Sequence, residues 1–348
     1  MRVAILSMYD FSEVRGGTEL FVRYLQRVFR DSVNITYSKS RSEFLRTDLN
    51  RLSLEPLKRG IAISRKFAKM HREEDFDLVL CNDVTGLGLK LLEPSVPAIQ
   101  VFHYTYKGFS AGTMLDKPGF FVSHRFLPLL ERLTANGKRV VTVSHKARRE
   151  LESLYGMEAQ VIENGIDFEE FSPMPKDEAR ARLGLKEGGP VGLFVGRADH
   201  TKGFDVVQAL ARTRQDIRIL CVTSSAPQDK DLMLARNVPN EMMPVYYSAA
   251  DFLIFPSRYE SAGYAVIEAL ACNLPVVANR TGLLEDMPEE DVGQLVDAVS
   301  VEAFSKGIDA LLHQGPMNTR ARAQERFSLE RFARDYTCLA ESVVAEWR

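Results

Sequence analysis

The sequence predicts an α/β protein of two Rossmann-like domains, each a parallel sheet with helices between its strands. Three observations carry that prediction. Apolar runs of strand length recur along the 348 residues, with helical patterns between several of them. Strand–loop–helix units with loop glycines occur in both halves, at Gly16–Gly17 and from Gly196 to Gly203. Between the halves, Asn164 to Gly189 concentrates turn residues (Pro173, Pro175, Gly184, Gly188, Gly189) around a short charged helix. The expected domains are 1–170, 171–327 and a closing helix at 328–348.

Composition narrows the class. A chain of this length suggests about two domains, and 45% hydrophobic with 26% charged residues can fill two cores. A net charge of −2 argues against a nucleic-acid partner. Val3 to Leu6 is too short for a leader's apolar segment, and no run approaches the roughly 20 residues of a membrane span. The four cysteines lie far apart without a C-x-x-C pair, which reads as mostly buried free thiols in a reducing cytosol. The expectation is a soluble cytoplasmic protein.

Taken in order, Arg2 to Met8 opens as a strand and a loop through Gly16 and Gly17 follows. A helix then carries Leu20, Phe21, Tyr24, Leu25 and Val28 on one face. Thr18 is positioned to cap it. This glycine loop is not G-x-G-x-x-G, and either a packing turn or a ligand loop fits it. From Lys39 to Arg72 there are ten Lys and Arg against three acids, interspersed with Leu57, Ile61, Ile63, Phe67 and Met70. That pattern fits a solvated helix face, or a cationic amphipathic surface meeting anionic lipid or an anionic acceptor. Further strands are expected at 78–81, 98–102, 139–143, 160–162, 191–195, 217–222, 252–255 and 275–278. The last segment, Ser328 to Arg348, places Leu329, Phe332, Tyr336, Leu339 and Val343 on one helical stripe.

The chemistry gathers in the second half. Phe252 to Phe255 reads as a buried strand, Pro256 to Gly263 as a turn, Tyr264 to Cys272 as a helix, and Pro275 to Ala278 as the next strand. The loop delivers Glu260 and Gly263 to a helix N-terminus, where unpaired N–H groups attract phosphate, with Glu268 further inside. Two carboxylates flanking such a site suit a ligand with phosphates in its middle and hydroxyls at both ends. Arg197 and Lys202, in the loop after 191–195, are costly there unless they meet an anion. Asp75 and Asp77 form a D-x-D that could hold a metal, though a polar approach to the strand at Leu78 explains them as well. The six histidines show no ligand spacing, so no metal and no cofactor is expected.

These segments, G-R-x4-K-G from Gly196, Y-Y-S-A-A-D-F-L-I-F-P-S from Tyr246 and E-S-A-G-Y-A-V-I-E-A-L-A-C-N-L-P-V-V-A from Glu260, resemble the retaining GT-B glycosyltransferases of family four, the group 1 glycosyltransferases. Glu260 and Glu268 match the family's E-x7-E. Gly16–Gly17, His103, Val143–Ser144 and Asn164–Gly165–Ile166–Asp167 match its weaker first-half signatures in order. The resemblance implies two domains facing a cleft, with the last helix returning to the first. It implies a nucleotide-diphosphate sugar donor, metal-independent transfer with retention, and a hydroxyl acceptor on a glycan, a lipid-linked molecule or a small molecule. It places Glu260 and the Ser261, Ala262 and Gly263 backbone at the donor sugar, Glu268 at the ribose, and Arg197 and Lys202 at the diphosphate. His103 would meet the sugar, Gly16 and Gly17 the phosphates and the acceptor, and Asn164, in the hinge signature, is expected among the substrate-binding residues.

The residues themselves bear on that picture. Glu260 and Glu268 cannot serve as the opposed acid and nucleophile of a double displacement, because Glu268 lies one to two helical turns past the anion site. Ionic departure of the diphosphate therefore leaves most of the work to positioning and charge. Departures from the family pattern are Glu163 in place of Pro, Ala262 in place of Phe, and Thr223–Ser224–Ser225 in place of G-x-G. The stretch Asn237 to Glu241 is also short. The last two departures touch the expected base pocket. Two other functions fit the same scaffold, a nucleotide-sugar 2-epimerase and a non-catalytic nucleotide-sugar-binding protein. The first wants a further acid and histidine constellation that is not evident, and the intact Glu260, Glu268, Arg197, Lys202 and His103 argue against the second.

Overall fold

A computed structural model describes residues 1–11, 16–37, 55–113, 121–224, 226 and 228–347. The chain forms two compact units, Met1–Gly165 with Glu330–Arg348, and Ile166–Leu329. In the first, a six-stranded parallel sheet runs β1 (Val3–Ser7), β2 (Ser32–Thr36), β3 (Leu78–Asn82), β4 (Ala98–Phe102), β5 (Arg139–Thr142) and β6 (Gln160–Val161). Its spatial order is β2-β1-β3-β4-β5-β6. In the second, β7 (Val191–Val195), β8 (Arg218–Thr223), β9 (Met233–Arg236), β10 (Phe252–Phe255), β11 (Val276–Asn279) and β12 (Gly293–Val296) follow the order β12-β11-β10-β7-β8-β9. The GT-B, two-domain α/β class expected from sequence is the class observed. In each sheet the chain leaves one strand outward and returns on its other side, at β1/β3 and at β7/β10. Open parallel sheets bind ligands at such a reversal, outside the strands' carboxyl ends.

Interior strands are apolar because helices cover both sheet faces. β1, β3 and β4 are buried at every residue. The helix Gly17–Val28 packs Leu20, Phe21, Val22, Tyr24 and Leu25 against the first sheet. From the closing helix Leu329–Trp347, Phe332 and Tyr336 meet Phe21 edge-on at 5.6 and 5.7 Å. Aromatic pairs of this geometry add about 0.5–1.5 kcal/mol beyond their buried area. In the second unit Phe194, Phe252, Ile254, Val277, Phe304 and Ile308 share one core.

The structure departs from the sequence reading in two respects. β2, β9 and β12 were not expected; each is an edge strand, and β2 and β9 are largely half-buried or exposed, so no continuous apolar run announces them. Thr18 does not cap its helix: Gly16 is the N-cap, and no side chain bonds to it. Of the basic region, 38–54 lies outside the described residues. The rest is the helix Glu55–Glu73, which buries Ile63, Phe67 and Ala68 and exposes Lys58, Arg65, Lys66, Lys69 and Arg72. Among the described residues no helix is long and apolar enough to cross a membrane. Cys81, Cys221 and Cys272 are buried free thiols, and Cys338 is an exposed one.

Candidate functional site

At the β7/β10 reversal two loops are laced together. The 256–263 loop donates Arg258 N–H to the Thr201 carbonyl (2.8 Å), and the Arg258 guanidinium grips Asp205 through two bonds of 2.7 and 2.8 Å. Gly203 starts the helix Phe204–Thr213 with φ 68°, and a Cβ there would stand 2.1 Å from the Pro256 carbonyl oxygen. Only glycine allows that approach. The consequence is the position of Lys202, whose ammonium pairs with the Glu260 carboxylate. Ser257 Oγ donates to the same oxygen at 3.1 Å, and Glu260 N–H donates to Thr281 Oγ1 at 3.2 Å. Beside them Arg197 Nε donates to Asp199 Oδ2 (2.7 Å), while Asp199 Oδ1 accepts Lys202 N–H (3.1 Å). Arg197 and Lys202, for which the sequence offers no evident anion, each pair with a carboxylate.

Gly263 opens the helix Tyr264–Ala271 in the left-handed region, φ 89°. Ser261 and Ala262 before it are buried, and Ser261 Oγ has no hydrogen-bond partner. Glu268 sits inside that helix, apart from the Lys202–Glu260 pair. Its Oε2 accepts the Tyr247 hydroxyl at 2.6 Å. Burial pushes its carboxyl up to about 7; the Tyr247 bond opposes this and Glu170 adds to it. Glu170 is itself held by Asn240 Nδ2 at 3.1 Å.

The first unit brings a different set to its β1/β3 reversal. His103, just after β4, is buried with its ring edge-on to Phe21 at 4.6 Å. Its Nε2 lies 3.0 Å from Asn82 Oδ1, and Asn82 Nδ2 donates to the Leu6 carbonyl. That commitment of the amide makes Oδ1 the acceptor, so Nε2 carries the ring proton. Burial pushes the His103 pKa down to about 3, so the ring is neutral at pH 7. Its backbone N–H donates to Asp83 Oδ1 at 3.1 Å. A Cβ on Gly16 would meet Glu19 Oε2 at 2.5 Å, which puts a carboxylate at this helix start. Gly17 is the first residue of the helix. Asn164 stands apart from this set: its carbonyl accepts from Arg331, and its buried Oδ1 has no partner. Asp77 Oδ2 accepts Arg2 N–H at 2.7 Å where β1 and β3 begin, so the D-x-D lies at the sheet's opposite edge.

Sequence reasoning passed over Glu19, Asp83, Tyr247, Ser257 and Thr281. A polar residue directly after a buried strand, as in Cys81–Asn82–Asp83, is the signal that could have found one of them.

Two family models match in tandem, Glycosyltransferase Family 4 over 16–170 and Glycosyl transferases group 1 over 175–327. The chain belongs to the group 1 glycosyltransferases. Among curated relatives, the D-inositol 3-phosphate glycosyltransferase of Xylanimonas cellulosilytica is 30% identical over 237 residues, 60% of this chain and 57% of that one. A putative teichuronic acid biosynthesis glycosyltransferase of Bacillus subtilis is 28% identical over 191 residues, 53% of this chain and 49% of that one. The chain therefore spans about half the length of these curated relatives. Solved structures match throughout. A sucrose-phosphate synthase from Thermosynechococcus elongatus gives a TM-score of 0.79 at 21% identity, covering 99% of both chains. HepE of Anabaena, solved with UDP and glucose, gives 0.76 at 18% identity, covering 98% of this chain and 100% of that one.

Proposed function

We propose that this chain is a retaining, metal-independent glycosyltransferase that moves a sugar from a nucleotide-diphosphate donor to an acceptor hydroxyl. The observation that carries this reading is the Lys202–Glu260 pair, fixed at the β7/β10 reversal beside the Gly263 helix start, with Glu268 on the same helix. Diphosphate entry would draw Lys202 and Arg197 from their carboxylates, free Glu260 for sugar hydroxyls, and neutralise charge on the leaving group. Glu268, oriented by Tyr247, would accept from the ribose hydroxyls. His103, its Nε2 proton held by Asn82, would present its neutral ring to the sugar, and Gly16, Gly17 and the Ser261–Gly263 backbone would approach the donor closely. Bond formation to the anomeric carbon on the face the diphosphate leaves preserves configuration.

A UDP-sugar is the favoured donor and a GDP-sugar the second. HepE, a fold neighbour, was solved with UDP-glucose, and a starch synthase of Arabidopsis thaliana with ADP. The acceptor hydroxyl belongs to a glycan, a glycolipid or a small polyol. A lipid-linked acceptor gains support from the exposed cationic face of the helix Glu55–Glu73. It gains more from Phe121, Leu129 and Leu133, which are 73%, 52% and 54% exposed near the exposed Arg125 and Arg132. Such faces suit peripheral contact with anionic lipid at the cytoplasmic side of a membrane.

The test is a thermal-shift and turnover panel of UDP-, GDP-, ADP- and TDP-sugars. One donor should stabilise the chain and be consumed. If none shifts the melting temperature and none is consumed, the proposal fails.

A further inference from the structure

His103 leads directly into a turn, Tyr104–Thr105, and the helix Tyr106–Thr113. Thr105 caps that helix: its Oγ1 accepts the Gly108 N–H at 3.1 Å and its carbonyl accepts the Phe109 N–H at 2.9 Å. The Tyr106 and Lys107 N–H groups have no partner within the helix, as in any first turn. Both go to one buried pair of side chains. Glu131, from the helix Leu127–Ala135, faces the Tyr106 N–H with Oε1 at 3.1 Å and Oε2 at 3.3 Å. It also accepts the Tyr155 hydroxyl, whose oxygen accepts the Lys107 N–H at 3.2 Å. Glu131 is 2% exposed and Tyr155 4%.

A helix start is ordinarily completed by a local cap and water, and burying an acid beside it is a costly addition. What the acid adds is a tether. The turn is tied to partners 25 and 48 positions away, on the helices Leu127–Ala135 and His145–Tyr155. Thr105 Oγ1 donates to Glu150 on the second of these at 2.6 Å. On its other side His103 is held by Asn82 at the ring and by Asp83 at the backbone N–H. Tyr104, Tyr106 and Tyr155 face the Glu131 carboxyl as phenols, and Asp83 and Glu150 as acids. Lys146 stands 3.7 Å from Glu150, and Arg59 faces Tyr106. Burial pushes the Glu131 carboxyl up to about 8, the Tyr155 and Tyr106 bonds opposing this and Asp83 and Glu150 adding to it. Ionisation therefore sets a third negative charge against the two acids that hold the turn.

We propose that Glu131 is a positioning residue for sugar transfer: by holding the Tyr106 N–H and the Tyr155 hydroxyl, it fixes the turn through which His103 meets the donor sugar. The assignment rests on the transfer reading above. Glu131 touches no substrate and works through the turn alone, while the nucleotide is bound by residues of the second unit. A misplacement of about 1 Å can cost about 10²-fold in rate, so loss of the tether shows in turnover and not in nucleotide affinity.

The full chain is compared with Glu131→Gln, Glu131→Ala and Tyr155→Phe from pH 6 to 9. The readouts are melting temperature at each pH, UDP calorimetry, and kcat and donor KM for the nucleotide sugar the wild type consumes fastest. Glu131→Gln keeps an acceptor for the Tyr106 N–H and cannot ionise, so its kcat at pH 7 should lie within about twofold of wild type. Above about pH 8 the wild type should lose turnover while still folded, and Glu131→Gln should keep it. Tyr155→Phe should lose kcat at least about threefold and Glu131→Ala at least about tenfold, with UDP affinity and donor KM within about twofold of wild type. A Glu131→Gln profile that falls above pH 8 as the wild type does, or a wild type that keeps its turnover to pH 9, overturns the assignment even if Glu131→Ala does not fold. So does wild-type kcat in Glu131→Ala and Tyr155→Phe, or a loss of kcat matched by an equal loss of UDP affinity. A wild-type chain that binds no nucleotide and consumes no nucleotide sugar overturns the transfer reading, and the positioning role with it.

Discussion

The two sheets reverse their strand order in the same way, but one reversal carries fixed cations and the other acids and a histidine held toward their neutral forms. Beside β7 and β10 stand Arg197 and Lys202, each already against a carboxylate. Beside β1 and β3 stand Asp83 and Glu19 with a neutral histidine, all shifted toward their uncharged forms by burial. Topology therefore decides where a ligand can sit, and the loop residues decide what it is. A cationic edge with exchangeable anions suits a diphosphate. An acidic edge suits hydroxyls.

The largest effect expected at the cationic edge is loss of turnover in Lys202→Ala. Removing one fixed charge from a developing leaving group costs about 10²–10³ in rate. Folding should suffer less, because Glu260 keeps the Ser257 hydroxyl as a donor. Turnover beside the urea midpoint checks this, and wild-type turnover would remove Lys202 from the diphosphate. The next expected effect compares two glycines. Gly203→Ala drives a Cβ into the Pro256 carbonyl and strains φ, so it should cost about 2–3 kcal/mol of stability. Gly16→Ala meets only the far end of the Glu19 side chain, at a backbone φ of −133°, and should cost less than about 1 kcal/mol. Equal losses in the two urea titrations would mean that the cationic loop is not the more tightly built of the pair.

The cationic side of this contrast was legible beforehand, and the limits of that reading have physical causes. Interior strands such as Leu78–Asn82 and Phe252–Phe255 read directly because both faces are covered and every position is apolar. β2, β9 and β12 escaped because edge strands meet solvent, and Ser32–Thr36 mixes Ser, Asn and Thr with Val and Ile. The residues Arg197, Lys202, Glu260 and Glu268 stood out by type and spacing. Their partners did not. Lys202 and Glu260 are 58 positions apart, and Tyr247 and Glu268 are 21 apart. Pairing at such separations is a product of the βαβ crossings and leaves no local periodicity. Asp83 left only a faint local signal, a polar residue directly after a buried strand.

The comparison also predicts a response to pH. Glu131, on the helix Leu127–Ala135, accepts the Tyr155 hydroxyl and the Tyr106 N–H (3.1 Å), and burial pushes its carboxyl up to about 8 against an ordinary 4.5. A raised carboxyl pKa means that the folded state holds the proton more tightly than the unfolded chain. The stabilisation is complete below about 4.5 and is lost as pH rises through about 8. Asp83 acts in the same sense up to about 7, as does Glu268 in the second unit. Asp205 acts oppositely: the Arg258 bonds hold it below 3.8, so its contribution is present above that value and is lost in acid. Between pH 6 and 8 the raised groups dominate, and stability should fall by at most about 1.4 kcal/mol per pH unit for each group titrating. Urea midpoints across that range check the slope. Glu131→Gln, which cannot ionise, should flatten it; an unchanged slope would assign the titration elsewhere.

The smallest expected effect is none at all, and it bears on the cationic edge alone. If Arg197 and Lys202 carry the charge of the departing diphosphate, a divalent ion has nothing left to neutralise. Turnover should then be the same with EDTA as with added Mg²⁺. The D-x-D offers no route around this, because Asp77 is bound to the Arg2 backbone at the amino edge of its sheet, away from the His103 end. Turnover that EDTA abolishes and Mg²⁺ restores would show that the two cations are insufficient. The electrostatic contrast between the sheets would then need a metal to complete it.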